Sequence, residues 1–176
     1  MKPRPLKLAQ ITDTHLLADP HALLRGCAPL HNLQTLLDRL RSETIDALLL
    51  TGDLAEAGEP EAYHHLLTLL KPLPFPIYWL AGNHDCLDSA HQILSPHYPG
   101  PTDPARSISL GAWQLILLNS VLPTATWGEG YVNETTLHSL ETTLQTHPDR
   151  ATLMALHHHP LPVGIDWLDQ IAVTNG

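Results

Sequence analysis

Cysteine, basic side chains and long apolar runs are all scarce in this chain of 176 residues. The only cysteines, Cys27 and Cys86, are too few for a disulfide framework and predict two reduced, partly buried thiols. The 9 Lys and Arg residues stand against 18 Asp and Glu, and this charge of −9 disfavours nonspecific nucleic-acid binding, which requires a basic face. No apolar run approaches the ~20 residues that span a bilayer, so we expect a cytoplasmic protein without a membrane segment.

The length and composition fit a single folded domain. Domains commonly hold roughly 100–200 residues, and a hydrophobic content of 43% is enough to bury a core. The chain shows no internal repeat and no linker that would separate two domains. Histidine is unusually frequent, with 13 residues, and imidazole is a common ligand of transition metals. Metal binding is therefore the first function to consider.

Six short apolar runs alternate with helical patterns, which predicts an α/β fold with a largely parallel sheet. The predicted strands are Leu6–Ile11, Ala47–Leu50, Ile77–Leu80, Ser107–Leu110, Trp113–Leu118 and Thr152–Leu156. Only Gly111-Ala112 separates the fourth run from the fifth, so we expect a hairpin there and a mixed sheet overall.

Three helices are predicted between these strands. The first carries one apolar stripe, formed by Leu33, Leu36, Leu37 and Leu40. The second begins at Pro60, a residue suited to a first helical turn, and continues through Leu66, Leu67 and Leu70. The third follows Asn133, a predicted N-cap, with Leu137, Leu140 and Leu144 on one face before the stop at His147-Pro148. The four prolines of Pro96–Pro104 predict a loop.

Acid, amide and imidazole side chains directly follow four of the predicted strands, at the carboxyl ends where open α/β sheets bind ligands. In chain order these motifs are Asp13-Thr14-His15, Gly52-Asp53, Gly82-Asn83-His84-Asp85 and His157-His158-His159-Pro160. Asp13 and His15 can face one cation because residues i and i+2 point to the same side, and the two oxygens of Asp53 can bridge two cations. Each motif alone could be a turn, a helix cap or a solvated edge. Together they predict one metal site with ligands suited to Fe, Mn or Zn.

The same motifs resemble those of the calcineurin-like metallophosphoesterases. More narrowly, the segments QITDTHL, TGDLA, GNHD and LHHHPLPVG resemble the bacterial class III cyclic-AMP phosphodiesterases. The resemblance spans nearly the whole chain and implies an αββα sandwich with a mixed sheet and flanking helices. It also implies a hydrolase with two divalent or trivalent transition-metal ions (Fe, Mn or Zn), whose partner is a small-molecule phosphodiester such as 3′,5′-cyclic AMP.

The resemblance implies a ligand set for each metal. Asp13 and His15 would hold the first metal, Asp53 would bridge, and Asn83 and His157 would hold the second. His158 is the alternative to His157, because a slip of one residue in a histidine run is easy.

Further roles concern the substrate. His84 would contact the phosphate as a catalytic residue, and the catalytic Asp85 would orient its ring. The residues implied to contact the substrate are His15, Asp53, Asn83 and His84. Glu56 and Asn119-Ser120 occupy positions typical of residues that support the ligands, and could equally be turn or solvated residues. Arg25, Trp127 and Tyr131 are candidates for nucleobase contact, and could equally be packing or surface residues.

One motif of the family is absent from this sequence. Members carry a later Gly-His-x-His motif, whereas this chain ends at Thr174-Asn175-Gly176. We therefore expect a truncated domain, with three ligands to each metal if Asp53 bridges and with weaker metal binding. Two alternatives to a cyclic-AMP phosphodiesterase stay open: another phosphomono- or diesterase of the same family, and an inactive metal-binding fragment. The oligomeric state is also open.

Overall fold

The apolar runs form six strands that divide into two sheets of three. The structure, a computed structural model, describes residues 5–105, 107–146 and 148–175. The first sheet is parallel and consists, in spatial order, of β1 (Leu8–Ile11), β2 (Ala47–Thr51) and β3 (Ile77–Leu80). The second consists of β4 (Ser107–Leu110), β5 (Trp113–Leu117) and β6 (Ala151–Ala155). Within it, β4 is antiparallel and β6 parallel to β5.

Alternation of side chains along β2 explains why the two sheets stack. Ala47 and Leu49 belong to a buried cluster that also contains Leu115 and Leu117 of the second sheet. Leu48 and Leu50 point to the opposite face and belong to the cluster that the first three helices complete. All five residues of β2 are buried, because this strand is covered on both faces.

Helices cover the outer face of each sheet. α1 (Pro29–Leu40), α2 (Pro60–Leu70) and α3 (Leu87–Leu94) pack on the first sheet. On the second, Leu140 and Leu144 of α4 (Glu134–Thr146) pack against Ile116 and Leu118. A short helix, α5 (Asp166–Asp169), follows β6. The layer order is therefore helices, sheet, sheet, helix, which confirms the αββα sandwich.

The predicted start of the last long helix is confirmed, since the Thr136 N–H donates to Asn133 Oδ1 at 2.7 Å. Leu137, placed on the apolar face of that helix, is instead 38% exposed. The helix ends at Thr146, and the predicted stop involves His147, which lies outside the described residues. Residues 96–104 form the predicted loop between α3 and β4.

The predicted parallel and mixed strand pairings are confirmed, but they are divided between two sheets and do not form a single one. The predicted hairpin of β4 and β5 is present, with Gly111 at φ 59°, but it starts a second sheet rather than extending the edge of the first. The parallel and mixed pairings thus belong to different sheets. The cysteines also differ from the prediction, because the free thiols of Cys27 and Cys86 are exposed. No helix within the described ranges is long and apolar enough to cross a membrane.

Candidate metal and phosphate site

The loops that follow β1 and β2 run side by side beyond the ends of the strands. The N–H of Asp13 donates to the carbonyl of Gly52 at 3.1 Å, and the N–H of His15 donates to the carbonyl of Asp53 at 2.9 Å. Leu16 and Ala55 continue this pairing as a parallel bridge. Backbone hydrogen bonds alone therefore hold the first two motifs next to each other.

Three of the predicted ligands adopt a backbone conformation that is unusual for residues with a side chain. Asp13, His15 and Asp53 have φ values of 56°, 43° and 50°. Such conformations cost on the order of 1–3 kcal/mol each and persist only where surrounding contacts enforce them. Here the paired loops enforce them, and the turns direct the side chains to one end of the sheet.

Asp53 lies between two imidazole rings. Its Oδ2 is 3.7 Å from His15 Nε2, and its Oδ1 is 3.5 Å from His157 Nε2. On the His15 side, Asp13 Oδ1 also approaches Nε2 to 3.7 Å. Ligand atoms of Asp13, His15 and Asp53 all lie within 4.8 Å of one another, so these three side chains could hold a metal ion. The carboxylate of Asp53 is thus shared between two potential ligand groups.

A polar group lies close to the Nδ1 atom of each of these rings: a hydrogen-bonded carbonyl at His157 and a carboxylate oxygen at His15. The Nδ1–H of His157 donates to the carbonyl of Thr51 at 2.8 Å, and His15 Nδ1 is 2.8 Å from Glu56 Oε2. Because a carbonyl only accepts, the bond to Thr51 requires the proton of a neutral His157 on Nδ1. Nε2 then presents a lone pair towards Asp53, which is the tautomer that a metal ligand needs.

Two glycines allow His157 to approach this group. A Cβ atom at Gly82 would lie 2.8 Å from His157 Nε2, and a Cβ atom at Gly52 would lie 2.7 Å from His157 Cγ. Both separations are too short for real side chains, so the ring fills space that only glycine leaves open. His157 comes from the second sheet, and the two glycines follow strands of the first.

His84 is held by the backbone around it. Its N–H donates to Asp53 Oδ1 at 3.0 Å, and its ring Nδ1–H donates to the carbonyl of Glu56 at 2.8 Å. The ring meets His15 edge-on, with 4.9 Å between centroids. With Nδ1 engaged, Nε2 is the ring nitrogen available to a ligand.

Asp85 contacts the loops rather than the His84 ring. Each oxygen accepts two hydrogen bonds of 2.9–3.0 Å: Oδ1 from Ala55 N–H and the Tyr63 hydroxyl, and Oδ2 from Leu54 N–H and Gly82 N–H. Burial raises the pKa of Asp85, against these four hydrogen bonds, which lower it. Asp85 therefore joins the loop after β2 to the loop after β3. The contact that orients His84, predicted for Asp85, comes from Glu56 instead.

His158 interacts with Ser120, which is not one of the proposed metal ligands. It is 3% exposed, and Ser120 Oγ is 2.8 Å from its Nδ1. Burial, and next the neighbouring His157, lower the pKa of His158 to about 4. Of the two histidines left open by the sequence, His157 is thus the one beside Asp53. Asn119 accepts the Val121 N–H at 3.1 Å and so forms a local turn.

The remaining candidates differ in their position. Asn83 is exposed, and Gly128 lies against it, since a Cβ atom at Gly128 would be 2.9 Å from Asn83 Nδ2. Trp127 lines a cavity of about 620 Å³ together with Asn83 and His84. Arg25 occupies the tip of a tight turn, between the paired residues Leu24 and Cys27, with φ 50°. Tyr131 donates its backbone N–H to the Ser120 carbonyl at 3.0 Å.

Comparison with known proteins identifies similar sequences along almost the whole chain. A family model described as calcineurin-like phosphoesterase matches residues 6–174. A 3′,5′-cyclic-nucleotide phosphodiesterase of Nostoc sp. is 39% identical over 97% of this chain and 63% of its own length. The 3′,5′-cyclic adenosine monophosphate phosphodiesterase CpdA of Escherichia coli is 36% identical, over 97% of this chain and 61% of that enzyme. The chain thus spans about three fifths of the length of these curated relatives.

Solved structures with the same fold are more distant in sequence. A dimetal phosphatase from Danio rerio superposes with a TM-score of 0.69 at 14% identity, over 97% of this chain and 74% of that one. The phosphopantetheinyl hydrolase of Mycobacterium tuberculosis superposes with a TM-score of 0.55 at 15% identity, over 96% of this chain and 76% of that one. These similarities concern the fold alone and agree with the two-sheet sandwich.

Proposed function

Because this chain belongs to the calcineurin-like phosphoesterase family, we propose that it hydrolyses the phosphodiester of 3′,5′-cyclic AMP to 5′-AMP with two bound metal ions. The observation that carries this proposal is the position of Asp53, with one oxygen towards His15 and the other towards His157. The cyclic-nucleotide substrate is supported by the enzymes of Nostoc sp. and Escherichia coli, which the chain resembles over 97% of its length.

The side chains present fit two metal ions. Asp13 and His15 would hold the first, Asn83 and His157 would hold the second, and Asp53 would bridge them. Their imidazole, carboxylate and amide donors suit Fe, Mn or Zn. The proton that His157 holds on Nδ1 leaves Nε2 ready to bind without a change of tautomer. When bound, such a pair of ions polarises the phosphoryl group and lowers the pKa of the attacking water.

His84 would act at the leaving group. Water adds to phosphorus, the bond from phosphorus to the 3′-oxygen breaks, and that oxygen takes up a proton. We assign the donor to Nε2–H of His84 in its imidazolium form, since its Nδ1–H donates to the carbonyl of Glu56, and the proton that the attacking water releases would restore this form. In the protonated state the same nitrogen would stabilise charge on the phosphoryl oxygens.

The acidic balance of the chain is compatible with a phosphate substrate. Although the formal charge is −9, two bound cations would be the largest charges at the site and would outweigh nearby carboxylates. A small phosphodiester is therefore a suitable partner.

The proposal is tested by hydrolysis of cyclic AMP with the purified chain, supplied with Mn²⁺ or Fe²⁺. We expect metal-dependent release of 5′-AMP, and loss of at least about 100-fold in rate for Asp53→Asn, since a bridging oxygen is removed. Asp38→Asn, on the exposed side of α1 where Asp38 pairs with Arg41, is the matched control and should retain the rate. A folded chain without hydrolysis, or an unchanged rate in Asp53→Asn, would overturn the proposal.

A further inference from the structure

The cavity beside His84 has one wall formed by residues to which the proposed hydrolysis gives no role. Its volume of about 620 Å³ is within the range typical of small-molecule sites. One wall is the loop after β3 with the start of α3, and the facing wall is the segment between β5 and α4. The lining residues that matter here are Asn83, His84, Val121, Leu122, Pro123 and Trp127. The cavity thus lies between His84, which is proposed to act on the phosphate, and a wall of apolar and aromatic side chains.

The facing wall is a loop closed at its base. Val121 and Gly130 pair as an antiparallel bridge, and the Gly130 N–H donates to the carbonyl of Ala172 at 3.1 Å. We refer to residues 121–130 as the tryptophan loop. The two ends of the tryptophan loop are therefore paired with each other, and the segment around Ala172 is hydrogen-bonded to one of them.

The tip of the tryptophan loop is also held. The carboxylate of Glu129 accepts the N–H of Trp127 at 2.8 Å and the N–H of Thr126 at 3.0 and 3.1 Å. These backbone hydrogen bonds lower the pKa of Glu129, so the carboxylate stays charged near neutral pH. The indole ring of Trp127 is nevertheless 76% exposed. The side chain of Trp127 is thus exposed to solvent, while hydrogen bonds to Glu129 hold its backbone in place.

A close approach connects this loop to the metal site. Gly128 has φ 88°, and a Cβ atom there would lie 2.9 Å from Nδ2 of Asn83. Trp127 is therefore next in sequence to a residue that touches a proposed metal ligand. A phosphate bound near Asn83 and His84 would have its organic substituent within reach of the indole ring.

The charge of the lining limits what the cavity can bind. Among the described residues that line it there is neither Lys nor Arg, and Asp88 adds a carboxylate. A second phosphate group would be repelled there, because no cation of the protein would compensate it. A neutral, planar group suits a wall of aliphatic and aromatic side chains.

From these observations we propose that the cavity binds the nucleoside part of the substrate, and that Trp127 favours substrates that carry a base over those without one, by stacking on the base. The proposal rests on the phosphodiesterase function proposed above. Aromatic rings are suitable platforms for bases, since every base has a flat π-face. Trp127 acts as a specificity-determining residue, and the bond-breaking step stays with the residues around Asp53.

Steady-state kinetics with two substrates test the proposal. We expect Trp127→Ala to lower kcat/KM for cyclic AMP roughly 5- to 150-fold, mainly through KM, and Trp127→Phe to restore most of the loss. The same cyclic ribose phosphate without a base should be hydrolysed equally by all forms. Trp113→Ala is the matched control, because this 41% exposed tryptophan starts β5 at the end opposite Asn119. An equal loss for both substrates, or no loss for either, would overturn the proposal.

Equilibrium binding separates this proposal from the catalytic one. Calorimetric titration with Mn²⁺ present should show that 5′-AMP binds more tightly than ribose 5-phosphate, and Trp127→Ala should abolish the difference. A difference that survives in Trp127→Ala would overturn the role of the ring. If the preference depends on Trp127 but cyclic AMP is not hydrolysed, the nucleoside site is supported and the catalytic proposal fails.

Discussion

Glu56 contacts two histidines of the site through two different groups. Its side-chain Oε2 is 2.8 Å from His15 Nδ1, whereas its backbone carbonyl accepts the proton of His84 Nδ1 at 2.8 Å. A mutation of the side chain removes the first contact and leaves the second. The two functions of this residue can therefore be separated by experiment.

Replacing Glu56 by Ala should weaken metal binding about 10- to 100-fold, because His15 loses the carboxylate that orients its ring. The measurement is the dissociation constant of Mn²⁺ in a competition titration with a chelator. Glu56→Gln keeps a side-chain oxygen near His15 Nδ1, so its dissociation constant for Mn²⁺ should lie between those of the native chain and Glu56→Ala. The control is Glu61→Ala, an exposed glutamate in the first turn of α2. If Glu56→Ala bound Mn²⁺ as tightly as the native chain, His15 would not depend on this contact.

For single residues, the sequence predicts which side chains lie close together, but it assigns to Asp85 a contact with the His84 ring that the backbone carbonyl of Glu56 makes. Asp13, His15, Asp53 and His157 come together because each follows a strand directly. Asp85 follows His84, so proximity in sequence favours a contact between them. In the structure the Gly82 N–H donates to Asp85 Oδ2 at 2.9 Å, so the carboxylate bonds to the backbone of its own turn and not to the His84 ring. The direction of a side chain within a four-residue turn is not encoded in residue spacing.

The strands and the three predicted helices follow the sequence pattern closely, whereas α3 and α5 are not among the predicted elements, and the arrangement of the sheets follows the pattern less. The observed strands begin and end within two residues of the predicted runs, because apolar alternation and punctuation by Gly and Pro are local signals. Whether the hairpin of β4 and β5 joins the edge of β3 or stacks on its face depends on long-range packing. Local periodicity contains no information on that choice, and only the resemblance to a family with an αββα sandwich predicts the second sheet.

Helix α4 offers a test of element stability. Asn133 accepts the Thr136 N–H at 2.7 Å and donates through Nδ2 to Asp103 Oδ2 at 2.7 Å. Asn133→Ala should lower the free energy of unfolding by about 1–2 kcal/mol in urea denaturation, because the cap is lost. Asn133→Ser should recover part of this, and the exposed Thr135→Ala in the same turn should have little effect. Equal stability of Asn133→Ala and the native chain would show that the cap does not stabilise α4.

On the scale of the whole molecule, the site lies where the two sheets meet. Asp13, His15, Asp53 and Asn83 follow strands of the first sheet, whereas His157 follows β6 of the second. A metal pair held by all five would connect the sheets, and its binding would add to the stability of the fold. The close approach of His157 to Gly52 and Gly82 already brings the two sheets together there.

If Asp53 bridges two metal ions, the number of ions bound per chain depends on this one side chain. The measurement is Mn²⁺ per chain by mass spectrometry of the element, after equilibrium dialysis at saturating Mn²⁺, for the native chain and for Asp53→Asn. We predict close to two ions in the native chain and at most one in the variant, with both chains shown to be folded by circular dichroism. Two ions retained by Asp53→Asn, or a single ion in the native chain, would contradict the account.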